Sequence, residues 1–438
     1  MLNLITFNRW WDEGKVEEVY LKPFKRDLFY SLVKFLNTRQ IILLYGIRRV
    51  GKTTILYQLI DYLLKNGVNK KNILYFSFDE ANVSLDEVLK NYSELVLGKD
   101  ILKEKKIYLF LDEIQKLNNF QNQLKVYYDL YPNIKFIVSG SASLSIYEGV
   151  KESLAGRVYE FVLPLLSFSE YLTFLGEKIE FEDLWDFDQA KEIYLKKEKL
   201  LPRFFSYIKN GGFIEIVNEE EDFKIREYSK SILEKIVFGD IAPLFKVKDS
   251  FILKTILELI GSNPGFLLDY SRLGEVLGRD QRSVANYIFY LKSAFLVRTL
   301  YNYSSSRFVS ERKLKKIYLS STNFVYQINK ERFYQPYFFS KVVENLVVSF
   351  SSSSFFWKER QNEVDLVLEE KIPVEIKFKE KIDKKDLKGV LRFLQRFSSS
   401  KALILTKEEL KKEKIFNMSL YFIPVWIYLL GRNDSSLI

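Results

Sequence analysis

The sequence predicts a mixed α/β protein of two to four domains, and three stretches of its 438 residues support this prediction. A short apolar run at residues 41–45 leads through a glycine loop into a stretch with helical spacing, and a second apolar run within residues 105–117 ends in two acids. Buried apolar strands joined through helices are typical of a parallel sheet. Residues 363–379 instead alternate apolar and charged side chains around a turn, which predicts a β-hairpin in a later domain.

The composition excludes several kinds of catalytic site. Cysteine and histidine are both absent, which removes disulfides, the usual zinc sites, thiol nucleophiles and Ser-His-Asp catalysis. Catalysis must therefore rest on carboxylates, Lys, Arg, hydroxyls, backbone amides and a hard cation such as Mg²⁺. The net charge of +10 suits an anionic partner such as nucleic acid, although many basic proteins bind none.

We expect a cytoplasmic protein with no membrane partner. The lack of cysteine fits a reducing compartment, and the first fifteen residues have no apolar core of the kind that signal peptides carry. The most apolar segment, residues 418–431, is too short to span a bilayer and contains Pro424, so we interpret it as one or two buried strands.

The glycine loop GIRRVGKTT has the G-x-x-x-x-G-K-T spacing of a phosphate-binding P-loop. Its glycines let backbone N–H groups point at the phosphates of ATP or ADP, Lys52 reaches the β and γ phosphates, and the Thr53 hydroxyl is a ligand of Mg²⁺. A chance Gly-Lys turn is the alternative, which the strand before the loop and the helix after it disfavour. The predicted nucleotide-binding residues here are Gly46, Ile47, Arg48, Arg49, Val50, Gly51, Lys52, Thr53 and Thr54.

The second strand, in KKIYLFLDEIQKL, ends in Asp112 and Glu113. In a P-loop ATPase this would be the Walker B strand, in which the Asp holds Mg²⁺ and the Glu orients the attacking water. An acidic pair after a strand is common, so the prediction depends on the P-loop upstream of it.

Two further predictions each leave an alternative open. Ser139 or Ser141, at the end of the strand in IKFIVSGSAS, would sense the γ-phosphate or would be ordinary turn residues. Arg157 is a candidate arginine finger or sensor, and a surface salt bridge explains it equally well.

These motifs together resemble a known family. IILLYGIRRVGKTT, IYLFLDEIQKL and FIVSGSASLSIYEGVKESLAGRVYEFVLPLLSFSEYL look like the archaeal and bacterial AAA+ ATPases that carry a nuclease-like C-terminal domain, and GGFIEIV at residues 211–217 continues the pattern. The resemblance implies an α/β protein with a parallel-sheet P-loop AAA+ core, a helical lid, a winged helix and a restriction-endonuclease-like α/β domain. The predicted ranges, with a short N-terminal extension to about residue 20 inside the first, are 1–165, 166–247, 248–305 and 306–438.

The winged helix is predicted from two amphipathic helices, a break at Gly278, a third helix and a strand within residues 249–303. If this part binds DNA, its third helix enters the major groove; the alternative is a packing or docking element. Asp280 would repel phosphate but makes a good N-cap, and the basic run at 311–316 adds non-specific attraction or is simply a solvated face. The DNA-facing candidates are Arg279, Gln281, Arg282 and Asn286.

The hairpin EVDLVLEEKIPVEIKFK is predicted to turn at Glu370, which places Asp365 opposite Glu375. An amphipathic ribbon needs a polar face, and Glu363 opposite Lys377 fits that plain interpretation. Asp365 opposite Glu375 does not, because facing like charges are destabilising unless a cation lies between them. A slip of one residue in the register would remove this argument.

The same spacing matches the PD-(D/E)XK nuclease pattern, in which Asp365, Glu375 and Lys377 are the catalytic residues and Mg²⁺ or Mn²⁺ is the metal. The resemblance assigns Glu344, on an upstream helix, as an additional metal ligand. The full set of predicted metal ligands is Thr53 and Asp112 at the nucleotide, and Glu344, Asp365 and Glu375 at the nuclease-like site.

The leading hypothesis is an AAA+ ATPase, with Lys52 and Glu113 as its catalytic residues, that couples nucleotide state to a nuclease-like domain acting on DNA. The rival is a nucleotide-dependent switch or oligomeric scaffold whose C-terminal domain recruits partners without cutting. Self-association into a homo-oligomer is an expectation of both. A small-molecule P-loop kinase is disfavoured because it would leave the C-terminal half idle.

Overall fold

The structure is a computed structural model that describes residues 4–79, 83–141, 153–415 and 417–431. The chain divides into two compact units, residues 1–164 and 165–435, and each is described by itself. Among the described residues, no helix combines the length and the apolar character needed to cross a membrane.

The first unit is built on a five-stranded parallel sheet with strand order β2-β3-β4-β1-β5. All residues of its first four strands are buried, as expected for the near-continuous apolar runs of a covered parallel sheet. The strands are β1 (Ile41–Gly46), β2 (Ile73–Ser77), β3 (Ile107–Asp112), β4 (Ile134–Ser141) and β5 (Val158–Val162).

Helices precede the sheet and fill the connections between its first four strands, as parallel pairing requires. The register sets Gly46 of β1 beside Ser141 of β4, and Leu111 of β3 beside Val138 of β4. The carboxyl ends of these three strands therefore meet at one edge of the sheet. The helices are α1 (Leu4–Phe7), α2 (Trp10–Glu13), α3 (Asp27–Phe35), α4 (Lys52–Lys65), α5 (Leu85–Tyr92) and α6 (Phe120–Leu130).

The second unit begins with a helical segment in the range predicted to be a lid. Ser167 caps the first of these helices through a reciprocal pair of hydrogen bonds with Glu170, which satisfies two N–H groups at the helix start. The helices are α7 (Phe168–Phe174), α8 (Phe187–Tyr194), α9 (Lys197–Asn210), α10 (Asp222–Glu234) and α11 (Ala242–Leu244).

The next segment contains the predicted helices and strand, together with a short strand between the first two helices. In the third helix the predicted apolar face is buried at Val284, Ile288 and Leu291. The elements are α12 (Phe251–Ser262), β6 (Phe266–Leu268), α13 (Tyr270–Leu277), α14 (Gln281–Ser293), β7 (Val297–Asn302), α15 (Arg307–Arg312) and β8 (Lys315–Leu319).

A single five-stranded sheet with order β10-β9-β7-β8-β6 joins this segment to the C-terminal part of the chain. β8 pairs antiparallel with both β6 and β7, and β7 also pairs with β9. The boundary predicted between residues 305 and 306 therefore falls between two paired strands of one sheet.

The C-terminal part has its own five-stranded sheet, with order β11-β12-β13-β15-β14. A cluster that includes Trp357, Phe393 and Phe422 forms its core. Residues 418–431, predicted as one or two strands, form one strand followed by a short helix. The elements are α16 (Thr322–Ile328), α17 (Pro336–Phe350), β9 (Phe355–Glu359), β10 (Asn362–Val364), β11 (Leu366–Leu368), β12 (Ile372–Lys377), α18 (Lys388–Phe397), β13 (Lys401–Thr406), β14 (Lys411–Ile415), β15 (Met418–Pro424) and α19 (Val425–Tyr428).

The predicted hairpin register is confirmed where β11 pairs with β12, because Leu366 faces Val374 and Leu368 faces Ile372 across a turn at residues 369–371. The expected pairing of Glu363 with Lys377 is wrong. The chain leaves the β11 ladder at Asp365, and β10 pairs with β9, so that Glu363 faces Lys358.

Candidate functional sites

The predicted phosphate-binding loop lies between the carboxyl end of β1 and the first turn of α4. Gly46 has no room for a side chain, because a Cβ would lie 2.4 Å from the carbonyl oxygen of Leu163. Gly51, with φ of 99°, and Arg49, with φ of 62°, both take left-handed conformations. The loop thus has backbone conformations that few residue types adopt without strain.

The Lys52 ammonium is inside this loop. Lys52 is buried, and its Nζ donates to the carbonyl oxygens of Gly46 at 3.1 Å and Ile47 at 3.0 Å. The first turn of α4 adds N–H groups and the positive end of the helix dipole, so the loop is suited to bind an anion. The other loop residues differ in exposure: Ile47 and Val50 are buried, Arg48 and Thr54 are partly exposed, and Arg49 and Thr53 are exposed.

Arg26 braces the loop, and no signal in the sequence pointed to it. Its side chain is buried and donates to the carbonyl oxygens of Val50 at 3.1 Å and Pro164 at 2.9 Å. A guanidinium has several donors in a fixed plane, so one side chain can hold two segments together. Arg26 therefore ties the loop to the end of the first unit.

Asp112 lies at the centre of a hydroxyl network at the carboxyl ends of the strands. The Thr53 hydroxyl donates to its Oδ2 at 2.6 Å, and the Tyr75 hydroxyl donates to the same oxygen at 3.0 Å. The buried Ser139 hydroxyl donates to Oδ1. A threonine hydroxyl beside a carboxylate is a set of hard oxygen donors that fits Mg²⁺ when nucleotide phosphates supply the remaining oxygens.

Glu113 follows Asp112 in a left-handed conformation, with φ of 52°. Burial raises its pKa above the ordinary value, which makes its carboxylate a stronger base. Gln115, which sequence reasoning missed, donates from Nε2 to Glu113, and its Oε1 accepts from the backbone N–H of Ser141 at 3.3 Å. Gln115 thus links Glu113 to the end of β4.

Arg157 lies at the opposite edge of the sheet. Its carbonyl oxygen accepts from the N–H of Ile41, at the start of β1, whereas the phosphate-binding loop follows the end of that strand. Its guanidinium makes two 3.0 Å hydrogen bonds to Asp129. Of the two interpretations left open by the sequence, the structure shows the surface salt bridge. Residues 142–152, part of the segment that carried the family resemblance, lie outside the described residues.

The C-terminal part brings together three carboxylates, which we call the acidic cluster: Glu344 of α17, Glu363 of β10, and Asp365 just after β10. All three surround the ammonium of Lys316, at 3.1 Å from Glu344 Oε1, 2.6 Å from Glu363 Oε1 and 3.5 Å from Asp365 Oδ1. The Lys316 side chain is 3% exposed. Both interpretations of the basic run, attraction of DNA and a solvated face, are therefore wrong for Lys316.

Glu375 and Lys377 of β12 lie beside this cluster. Lys377 Nζ donates to Glu375 Oε1, so the two side chains share a face of the strand as predicted. Within the described residues, Oε2 of Glu375 is buried and has no hydrogen-bond partner. Asp365 and Glu375 are both buried, so neither lies on a solvated face of the ribbon.

Burial and neighbouring charges shift the pKa values in this region in both directions. Burial, together with the charge of Asp365, raises the pKa of Glu375 to about 8. Burial acts on Glu344 in the same sense, but the ammonium groups of Lys316 and Lys341 outweigh it and lower the pKa of Glu344 to about 2. Near neutral pH the Glu344 carboxylate is therefore charged, whereas burial favours the protonated form of Glu375.

These residues do not fit a bound divalent cation. Within the described ranges of the chain, no group of three or more acidic side chains is arranged to hold a metal ion. The structure places Glu344, Asp365 and Glu375 close together, as the sequence predicted for metal ligands, but the centre of the acidic cluster is an ammonium.

A basic cavity of about 460 Å³ lies close to the acidic cluster. Lys358 connects the two, because it lines the cavity and donates to Glu363 Oε2 at 2.6 Å. A mixture of cations and aromatic rings is typical of surfaces that bind nucleic acid. Its cationic and aromatic lining residues are Lys313, Lys358, Lys371, Arg396, Tyr303, Trp357 and Phe397, and an acid in the lining, Glu359, pairs with Arg396.

The four DNA-facing candidates of the third helix lie at or near the start of α14. Arg279 is paired with Asp249 at 3.0 Å, and Asp280 is an N-cap that accepts from the backbone N–H of Ser283 at 3.0 Å. The other three candidates, Gln281, Arg282 and Asn286, are exposed.

Comparison with protein families assigns three segments of the chain. Residues 38–172 match an AAA domain. Residues 201–329 and 336–428 match two domains of unknown function. The AAA match contains the phosphate-binding loop, Asp112, Glu113 and the parallel sheet, so the first unit contains a nucleotide-binding domain of the AAA ATPase type.

The similar proteins in curated collections are uncharacterised. One from Haemophilus influenzae is 28% identical over 281 residues, which cover 62% of this chain and 65% of that protein. The chain thus spans slightly less than two thirds of that relative's length. Two from Methanocaldococcus jannaschii are each 26% identical and cover 86% and 79% of this chain, and 82% and 75% of their own lengths.

Among solved structures, the crystal structure of Saccharomyces cerevisiae RIF2 matches 54% of this chain and 96% of its own. The sequence identity is 17% and the TM-score is 0.28. At this level of similarity we base no argument on it.

Proposed function

We propose that this protein binds ATP with Mg²⁺, hydrolyses it, and uses its nucleotide state to control a C-terminal part that binds DNA. The observation that carries the first step is the contact of the Thr53 hydroxyl with the Asp112 carboxylate at 2.6 Å, at the mouth of a loop that contains Lys52. The AAA match over residues 38–172 supports it.

The residues of the loop and those that follow β3 have distinct roles in this proposal. Lys52 and the backbone N–H groups of the first turn of α4 bind and orient the phosphates. Thr53 and Asp112 would hold Mg²⁺, which supplies charge neutralisation at the phosphates when bound. Glu113, with its raised pKa, orients water and accepts its proton, while Gln115 fixes the position of the Glu113 carboxylate.

ATP turnover and ATP binding test this step separately. We expect Lys52→Ala to lose both, because it removes the cation from the phosphate site. Lys65→Ala is a matched control at the far end of the same helix, where the side chain is 73% exposed, and it should behave like the wild type. Turnover unaffected by Lys52→Ala would refute the proposal.

The DNA-binding part of the proposal is supported by the basic cavity and by the exposed residues of α14, within the segment predicted to be a winged helix. Phosphate contacts by Lys and Arg make affinity strongly dependent on salt. We therefore expect Lys313→Glu with Lys371→Glu to weaken duplex binding and to reduce its salt dependence. The control is Lys90→Glu with Lys103→Glu, which changes the net charge equally at exposed positions of the first unit; equal weakening in both would reject the cavity as the binding site.

A second candidate function is a nucleotide-dependent switch or scaffold that does not cleave DNA, and one observation favours it. The Lys316 ammonium lies at the centre of the acidic cluster, which leaves the predicted nuclease residues without the geometry of a metal site. Incubation of duplex, branched and single-stranded DNA with Mg²⁺ or Mn²⁺ distinguishes the two functions. Cleavage by the wild type that Asp365→Ala with Lys377→Ala abolishes supports the nuclease; no difference between them supports the switch.

We further propose self-association and a cytoplasmic location. Light scattering with and without ATP measures the first, and a change of mass on ATP binding is the result expected for a switch. Cell fractionation measures the second.

A further inference from the structure

We infer that Lys316 is the resident cation of the acidic cluster and occupies the position that a divalent metal would take, so that the C-terminal part binds no Mg²⁺ or Mn²⁺ while Lys316 is in place. The inference rests on the proposed function only for identifying these carboxylates with a nuclease-like site. Its evidence is the contacts of the cluster itself.

The Lys316 ammonium has one N–H donor for each carboxylate of the cluster. A lysine has three N–H donors, and three carboxylate oxygens from three different side chains lie at 2.6, 3.1 and 3.5 Å from Lys316 Nζ. The Tyr318 hydroxyl adds a hydrogen bond of 2.7 Å to Glu344 Oε1. The inner oxygens of all three carboxylates therefore face one cation.

The second oxygen of each carboxylate in the cluster also has a donor. In the order Glu344, Glu363 and Asp365, these donors are Lys341 Nζ at 3.3 Å, Lys358 Nζ at 2.6 Å and the backbone N–H of Ile376 at 2.9 Å. A divalent cation needs about six oxygen ligands at roughly 2.0–2.6 Å. Every oxygen of the cluster already accepts from a donor, so a divalent cation would have to displace the Lys316 ammonium from the inner oxygens, and the remaining buried oxygen, Glu375 Oε2, is by itself too few.

Charge leads to the same conclusion. A divalent cation bound between these carboxylates would lie only a few ångströms from the Lys316 ammonium, and like charges at that distance repel strongly in a buried region. The two cations therefore compete for one position.

The position of Lys316 is fixed by the fold. It lies on β8, between Leu267 of β6 and Leu300 of β7 in the strand register. Its Nζ also lies 5.5 Å from the centre of the Phe356 ring. Since the backbone is paired on both sides, the ammonium leaves the cluster only if its own side chain swings away or β8 shifts within the sheet. The inference thus identifies the step that must precede metal binding.

Binding of Mn²⁺ to the full-length, nucleotide-free protein tests the inference, with electron paramagnetic resonance of free Mn²⁺ as the readout. We expect the wild type and its Asp365→Asn variant to bind the same amount of Mn²⁺. We expect Lys316→Ala to gain one site and to be stabilised against heat by Mn²⁺, and we expect Lys316→Ala with Asp365→Asn to lose both gains. All variants have the same phosphate-binding loop, so Mn²⁺ bound there cancels in the comparison.

Lys315→Ala is the matched control. Lys315 is the preceding residue on β8, and its Nζ lies over the Tyr301 ring at 4.8 Å, so this variant should bind Mn²⁺ as the wild type does. A wild-type site that Asp365→Asn removes would overturn the inference, as would a folded Lys316→Ala protein without additional Mn²⁺. If Lys316→Ala fails to fold, the comparison of wild type with Asp365→Asn still tests the inference. Less Mn²⁺ bound by Asp365→Asn than by the wild type would overturn it.

The outcome is independent of the proposed function. Mn²⁺ binding is measured without ATP or DNA, so an inactive ATPase or a protein that binds no DNA leaves the inference intact. Conversely, DNA cleavage together with a wild-type Mn²⁺ site at Asp365 would support the nuclease and overturn the inference.

Discussion

The phosphate-binding loop and the acidic cluster each contain a buried lysine, and the oxygens around the two lysines differ. Lys52 donates to neutral backbone carbonyl oxygens, and the nearby Asp112 is bonded to hydroxyl groups. Lys316 instead donates to three carboxylates. The first arrangement places a carboxylate that accepts from hydroxyl groups beside a loop that contains a lysine, which suits the binding of a phosphate with a metal. In the second, Lys316, Lys341 and Lys358 together balance the three carboxylates, as expected of a structural ion cluster.

The comparison predicts first that Lys316→Ala is strongly destabilising. Removing the cation leaves three carboxylates without the ammonium that they share, and breaking a buried ion pair costs about 3–5 kcal/mol in comparable cases. A chain of two units need not unfold in one step, so hydrogen exchange of β8 and α17 is the suitable measurement. Lys315→Ala should change the protection of these elements little. A loss below about 1 kcal/mol for Lys316→Ala would mean that the cluster is not held by its lysine.

At the phosphate-binding loop we expect a large effect on activity with little effect on folding. Glu113→Gln keeps the size of the side chain but removes the base, so ATP turnover should fall by about 10²–10⁴-fold while ATP binding is retained. Single-turnover hydrolysis and equilibrium binding measure the two separately. If binding is lost along with turnover, the Glu113 side chain shapes the loop and is not the base.

A third buried lysine extends the comparison, because Lys135 is 2% exposed and its described partners are uncharged. Its Nζ donates to Thr38 Oγ1 at 3.1 Å and to the carbonyl oxygen of Gln40. Burial lowers the pKa of Lys135 from 10.5 to about 7. Between these two pKa values the unfolded chain binds a proton that the folded chain has released, so the stability of the first unit rises with pH across this window. Below about pH 7 Lys135 is charged in both states, and the free-energy cost of burying its charge is fully present.

Lys135→Met should therefore stabilise the first unit at pH 7, by roughly 1–3 kcal/mol after the loss of the two hydrogen bonds is counted. The gain should shrink as the pH approaches 10.5. Denaturation monitored at several pH values measures it, and Lys105→Met, at an exposed position nearby, is the control. A gain independent of pH would show that packing, and not the charge of Lys135, limits stability.

Features whose interacting residues are close together along the chain were predicted from the sequence, and several features whose residues are far apart were not. The phosphate-binding loop is one continuous stretch, so spacing alone indicated its strand, glycines and helix. The hairpin register followed from apolar alternation and a short turn, and pairing of Leu366 with Val374 confirmed it. The role of Lys316 could not be predicted in this way, because its partners are 28 to 49 residues away and meet it only through the order of strands in the sheet.

The pairing of Glu363 and the position of Arg157 both depend on how distant strands are arranged. Glu363 was assigned a partner by extending the hairpin, but the chain changes sheets at Asp365 and gives it the neighbour Lys358. Arg157 comes after β4, which ends beside the phosphate-binding loop, yet it lies next to Ile41 at the start of β1. Sequence spacing does not show which edge of the sheet such a residue occupies.

The smallest expected effect is that of Arg157→Ala. The Arg157–Asp129 pair is partly exposed, with side-chain exposures of 30% and 46%, so its loss should cost no more than about 1 kcal/mol. β1 has six residues, and at about 3.3 Å per residue Arg157 lies nearly 20 Å from the phosphate-binding loop of its own chain. Turnover by a single subunit should therefore be unchanged.

If turnover instead falls more than tenfold, Arg157 acts on the nucleotide of a neighbouring copy. Mixing Arg157→Ala with Lys52→Ala would then restore part of the activity, because the Lys52→Ala subunit would supply an arginine to the intact loop of the other.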